Sequence, residues 1–175
     1  MSNVIKTVNG SVPLDNLFGG SFDVQDVATI TTPIAIPGTG VFTQLTNDGA
    51  GPQTINDFAP VGLTELWDTT NDEFDFSQLK LGDILHIRAD MEVTTASPNT
   101  EVELQLLAGI GVFAFPIGWD HEFYGTAGMF PLVRSSFLTM QTTTILTGKA
   151  QFKLKADKAC DVKVNGWNYV IYRRG

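Results

Sequence analysis

From Leu85 to Val93 the apolar Leu85, Ile87, Ala89, Met91 and Val93 alternate without a break with the polar His86, Arg88, Asp90 and Glu92. A period of two is the mark of a strand with one dry face. The alternation returns at Glu101, where Val102, Leu104 and Leu106 interleave with Glu101, Glu103 and Gln105 after the turn-forming Ala96-Ser97-Pro98-Asn99. The spacing predicts a β-hairpin whose dry face, carrying Ile87, Met91 and Leu104, must be covered by a second layer.

The rest of the chain supplies more strands of the same kind. Residues 1 to 30 carry only scattered apolar positions among glycines and read as an extended arm. Ala28 to Ile36 is short and β-branched, and Pro33 and Pro37 confine it to an edge or to a broken strand. Val41 to Leu45, Leu63 to Trp67 and Phe74 to Leu81 alternate, and loops dense in turn residues separate them. Gly109-Ile110-Gly111 allows a sharp bend before the apolar Val112, Phe113 and Phe115, and Gly125 to Pro131 reads as a loop. Leu132 to Gln141 and Thr142 to Leu146 are strand-like, and Phe152, Leu154 and Ala156 alternate with Lys153, Lys155 and Asp157. Asn165-Gly166 is the strongest two-residue hairpin signal in the chain, between Val164 and the alternating Trp167, Tyr169 and Ile171.

These are about eight to ten short strands with no convincing amphipathic helix and no fixed-period repeat. The predicted fold is all-β, an antiparallel two-sheet β-sandwich of the jelly-roll kind with an extended N-terminal arm. Residues 1–40 form the arm and the first edge strand, and 41–175 the jelly-roll domain. At 175 residues the chain is long enough to bury a core without disulfide staples. Cys160 is the single cysteine, so no intrachain disulfide can form, and its parity with Val162 and Val164 predicts burial.

Charge narrows the range of partners. The net charge of -8 argues against general affinity for nucleic acid or anionic membranes. Between Lys6 and Lys80 there is no Lys or Arg, while Lys149, Lys153, Lys155, Lys158, Lys163, Arg173 and Arg174 crowd the last segment. Either acidic early strands lie beside basic late ones, or a basic tip docks on an acidic partner. The N-terminus lacks the apolar run of a signal peptide, and the best apolar run, Leu106 to Ile117, is cut by Gly109, Gly111 and Pro116. Twelve Phe and three Trp either all enter the core or are partly covered by another subunit, which would also protect strand edges.

Candidate chemistry is sparse. His86 and His121 are the only histidines, so a multi-histidine zinc site within one chain is excluded, and His86 reads as a surface residue. Ser135 and Ser136 lack the Gly-x-Ser-x-Gly surround of a hydrolase nucleophile. No catalytic residue, cofactor site or phosphate loop is predicted, and the chain does not read as an enzyme. Asp68, Asn71 and Asp72, with Glu73 and Asp75, make an oxygen-rich loop of the type that holds calcium, or a solvated acidic turn. Trp119, Asp120, His121 and Tyr124 are the best candidates for a glycan platform, rings beside polar groups, against the plainer reading that Trp119 caps the sandwich.

The run Leu66-Trp67-Asp68-Thr69-Thr70-Asn71, then Phe74-Asp75-Phe76, Leu81-Gly82-Asp83 and Ile87-Arg88-Ala89-Asp90, resembles small jelly-roll proteins of tailed-bacteriophage virions. Lys155-Ala156-Asp157 and Val164-Asn165-Gly166-Trp167-Asn168-Tyr169 fit the same pattern. Those proteins have a tumour-necrosis-factor-like topology and serve as head decoration (cement) proteins, fibre knobs or tail-fibre tips, typically as trimers. The resemblance covers Trp67 to Gly175 and carries no fixed functional residues. It implies a homotrimer in the virion, assembled in the host cytoplasm, whose arm attaches to the major capsid protein or to a fibre or tail protein. On the net charge, no nucleic-acid or membrane partner is expected.

Two other functions compete with capsid decoration. One is a receptor-recognising knob that binds host glycans through Trp119 to Tyr124, and the other is a small enzyme or sugar-binding sandwich outside viruses, which needs convergent carboxylates in a cleft. If the arm only attaches, deleting residues 1–30 should leave the sandwich folded.

Overall fold

The alternation at Leu85 to Val93 lies within one long strand, and its apolar members are the buried ones. The computed structural model describes residues 4–7, 10–13, 19–60 and 62–173. In chain order the elements are β1 (Val4–Thr7), β2 (Gly10–Pro13), β3 (Gly19–Gln25), the single helical turn α1 (Ala28–Thr31), β4 (Ile34–Ile36) and β5 (Thr43–Gln44). There follow β6 (Trp67–Asp68), β7 (Glu73–Asp75), β8 (Ile84–Thr95), β9 (Thr100–Ile110), β10 (Phe115–Tyr124) and β11 (Gly128–Thr139). The short helix α2 (Thr143–Thr147) precedes β12 (Lys149–Ala156) and β13 (Cys160–Tyr172).

All pairings are antiparallel, and they build two sheets. The first has the order β11-β8-β13-β3, with β4 also on β13, and the second the order β10-β9-β12-β7-β6, with β5 also on β12. This is the expected all-β, two-sheet jelly-roll sandwich. β1 and β2 pair with each other as a separate two-stranded ribbon. β3 and β4 belong to the first sheet, so the stretch 1–40 gives Phe22, Val24 and Ile36 to the same core as the rest of the chain.

The expected hairpin between 85–93 and 100–106 does not form. β8 pairs with β11 and β13, while β9 pairs with β10 and β12, so the turn at 96–99 carries the chain from one sheet to the other. Alternation says which face of a strand is dry but not which strand lies beside it. Here the two dry faces meet across the sandwich, and each covers the other. β9 instead forms a hairpin with the strand that follows it, β10. At its turn Gly109 has φ +75°, and a Cβ there would meet the Phe113 carbonyl oxygen at 2.2 Å.

Three local expectations also change. Asn165-Gly166 lies inside β13 as a bulge, where the register against β8 shifts between Val164 and Gly166. A β-carbon on Gly166 would sit 2.7 Å from the Val24 carbonyl oxygen, so close approach to β3 demands glycine there. Thr142 to Leu146 is not a strand. The Thr142 hydroxyl accepts from the Ile145 N–H at 3.4 Å and starts α2 instead. Ala28 to Ile36 divides into α1 and the edge strand β4, and β11 begins at Gly128, inside the expected 125–131 loop.

The core is aromatic. Trp167, Tyr169, Phe22, Phe74 and Phe76 are fully buried, and Phe74 contacts Trp67, Phe76, Phe152 and Tyr169. Polar handles tie the long 45–66 segment down. The Trp67 indole N–H donates to the Asn47 carbonyl at 2.8 Å, and the Leu66 N–H donates to the Tyr169 hydroxyl at 3.2 Å. Acidic early strands do lie beside basic late ones: Lys149 pairs with Asp75, and Lys163 reaches Glu92 at 3.4 Å.

Candidate functional site

Strand alternation decides what β10 can present. Asp120 and Glu122 both pair with Arg134 of β11, linking the free edges of the two sheets, and Tyr124 is buried against Phe130 at 4.5 Å between ring centroids. His121 points the other way, onto the outer face of the second sheet. The structure therefore divides Asp120 and Tyr124 from His121, and the side chain of Trp119 lies outside the described residues. The expected platform of Trp119, Asp120, His121 and Tyr124 is not assembled as one surface among the described residues.

The groups that do gather around His121 come from neighbouring strands. Its Nδ1 lies 3.3 Å from Glu101 and its Nε2 3.3 Å from Glu103, while the Lys155 ammonium sits 2.6 Å from Glu103. The register places Glu103 between His121 and Lys155. Lys155 also lies over the Phe42 ring, 4.6 Å from its centroid. Glu101, Glu103, His121 and Lys155, with Gly40, Ala156 and Asp157, line a cleft of about 180 Å³.

The acidic loop is held by its own turn. The Asp68 carboxylate accepts from the Thr70 and Asn71 N–H groups and from the Asn71 amide, and Asp72 accepts from the Asn47 N–H at 3.0 Å. The Asn71 amide and the turn N–H groups hold Asp68 below the usual carboxylate range, and burial pushes Asp72 above it. Asp68, Asn71 and Asp72 thus serve as turn partners. No group of three His, Cys, Asp or Glu side chains placed to hold a metal ion occurs among the described residues. Burial pushes the Cys160 thiol up to about 11, which keeps it protonated and inert.

Asp48 gives a pH test. Partial burial opposes its ionisation, but the N–H groups of Ala50, Val27 and Ala28 outweigh it and leave the folded pKa lowered. A depressed carboxylate stabilises above its unfolded pKa, and this is lost as pH falls through the folded value. Asp48→Asn, which leaves these hydrogen bonds without their charge, is expected to cost at most about 1 kcal/mol at pH 7, since the carboxylate is exposed and screened by solvent. In urea denaturation the gap between wild type and variant should close below about pH 4. A gap independent of pH would mean that the carboxylate's charge plays no part.

The outer face of the first sheet holds what the sequence reading missed. Along β11 Met129, Val133 and Phe137 point outward and are 59 %, 42 % and 66 % exposed. Phe137 stacks on His86 of β8 at 4.3 Å, which places His86 beside an apolar row. The signal was present in the unbroken apolar run Met129-Phe130-Pro131-Leu132-Val133. A strand apolar on both faces is one whose second face is also meant to be covered.

No protein-family model and no curated protein matches the sequence. Among solved structures the fold is similar to that of Eiger TNF from S. frugiperda, with a TM-score of 0.51 at 5% identity over 90% of this chain and 92% of that one. It is more loosely similar to the infectious bursal disease virus Gx strain, with a TM-score of 0.46 at 10% identity over 99% of this chain and 39% of that one. For the PRD1 vertex protein P5 the TM-score is 0.36 at 15% identity over 90% of this chain and 97% of that one. The first likeness is one of fold alone; the other two are too loose to bear on fold or role.

Proposed function

We propose that the protein is a non-enzymatic structural component of a virion, decorating or stabilising a bacteriophage capsid as a trimer. The observation that carries self-association is the row Met129, Val133 and Phe137 on an outer sheet face, where solvated side chains are the norm. With Pro131 and Ser135 between them on the same face and the polar Arg88, Asp90 and Glu92 of β8 alongside, these side chains give the mix of exposed apolar and polar groups that an interface carries. The tumour-necrosis-factor-like fold and the resemblance of Trp67 to Gly175 to tailed-phage jelly rolls support the virion role. The ribbon of β1 and β2 precedes β3, whose Gly19 pairs with Tyr172, and supports attachment to a capsid, fibre or tail protein from that end of the sandwich.

Light scattering behind size exclusion tests the assembly. The expected mass is that of three 19.0 kDa chains. Phe137→Asp, which puts a charge in the apolar row, should shift the protein to single chains while its far-UV spectrum stays unchanged. A single-chain mass for the wild type at all concentrations would remove the trimer from the proposal.

A further inference from the structure

We propose that the cleft on the outer face of the second sheet is a binding subsite for a neutral glycan, a hexose or N-acetylhexosamine unit. This goes beyond the structural role above and does not depend on the trimer, since the apolar row lies on the other sheet. The cleft brings together the Glu101 and Glu103 carboxylates, the His121 imidazole and the Lys155 ammonium. Vicinal hydroxyls both donate and accept, so a carboxylate beside an ammonium matches a sugar diol. Lys155 and Glu103, 2.6 Å apart, are such a pair. Glu103 is buried to 9 % side-chain exposure between its strand neighbours, which holds its carboxylate in place before any ligand arrives.

An exposed aromatic ring stands on the same face as the cleft. Phe123 shares the outward face of β10 with His121, stands opposite Glu101 in the register and is 64 % exposed. A flat ring beside hydrogen-bonding groups takes the C–H face of a pyranose. Charge sets the class of sugar. Glu101, Glu103 and Asp157 stand against Lys155, and Asp157 is already engaged by the Glu101 N–H at 2.7 Å. With three carboxylates to one ammonium, sialylated, sulfated and phosphorylated glycans are repelled. About 180 Å³ is below the ~300–1,000 Å³ of pockets for drug-sized ligands and suits one sugar unit.

The test uses the full chain on an array of immobilised oligosaccharides, with neutral hexose- and N-acetylhexosamine-terminated probes printed beside sialylated and sulfated ones. Binding is expected on neutral probes alone. Phe123→Ala and Glu101→Gln, both at exposed positions, should each weaken it about tenfold, a step of ~1.4 kcal/mol, with melting temperatures unchanged. Absence of signal on every neutral probe overturns the subsite. So does a preference for acidic probes, or neutral binding that survives both substitutions.

Discussion

Replacing Phe74 with alanine is expected to remove about 3–5 kcal/mol of stability, the usual cost of deleting a fully buried ring. Phe74 is 0 % exposed and meets Trp67 at 4.7 Å, Tyr169 at 5.7 Å, Phe152 at 5.9 Å and Phe76 at 6.0 Å between centroids. Through Tyr169 and Trp67 it links the two sheets, because Tyr169 belongs to β13 and Trp67 to β6. Few small collapses of the backbone can fill a void with four rings around it, so the cavity term adds fully to the lost burial. Domains of this size hold about 5–15 kcal/mol in all, so the variant should sit near the edge of folding at 37 °C. Chemical denaturation followed by tryptophan fluorescence reads the loss directly. A loss below about 1 kcal/mol would show that these rings do not form the centre of the core.

Truncation from the N-terminus is expected to have a sharp boundary. Removing residues 1–13 takes away β1 and β2, which among the described residues pair only with each other, and should leave the unfolding midpoint nearly unchanged. Removing residues 1–30, expected from the sequence to leave the sandwich folded while abolishing attachment, also takes β3. That strand buries Phe22 and Val24 to 1 % exposure, and Phe22 stacks on Tyr169 at 5.0 Å. At about 1.5–3 kcal/mol for each fully buried side chain, the loss is about 3–6 kcal/mol before the exposed edge of β13 is counted. It also deletes Asp26 and Thr29, whose buried hydrogen bonds hold the Val164 N–H. Differential scanning calorimetry of the two truncations should show one near-native transition and one strongly lowered or absent. Equal melting of both would mean that β3 adds nothing to the sheet.

The features legible in the sequence were those that depend on a residue's own neighbours along the chain. Alternation located β8, β9, β12 and β13, and the same alternation put Ile87, Leu104, Leu154 and Tyr169 in the core. Partner choice depends on residues far apart, and there the reading failed. The turn at 96–99 has the composition of a hairpin turn, yet the strands it joins enter different sheets, β8 between β11 and β13 and β9 between β10 and β12. Asn165-Gly166 has a turn signature that β8 and β3, pairing on either side of β13, turn into a bulge. The candidate site behaved in the same way. His121 was visible, but Glu103 and Lys155 join it only through cross-strand register, and Asp120 and Tyr124 are carried to the opposite face by a period that the short segment around Trp119 did not display.

The position of β13 in the first sheet also bears on how the chain is made. It lies between β8 and β3 and pairs with both, and β4 pairs with it too. Its residues, 160–172, leave the ribosome after every other strand of that sheet. Until then β8 and β11 can zip together, but β3 and β4 have no strand to join, and Phe22 and Val24 face water or whatever binds nascent chains. One half of the sandwich thus waits for the last of its strands to be made. A pause or premature stop before codon 160 would release a chain with its first sheet split and its apolar edges open to other chains.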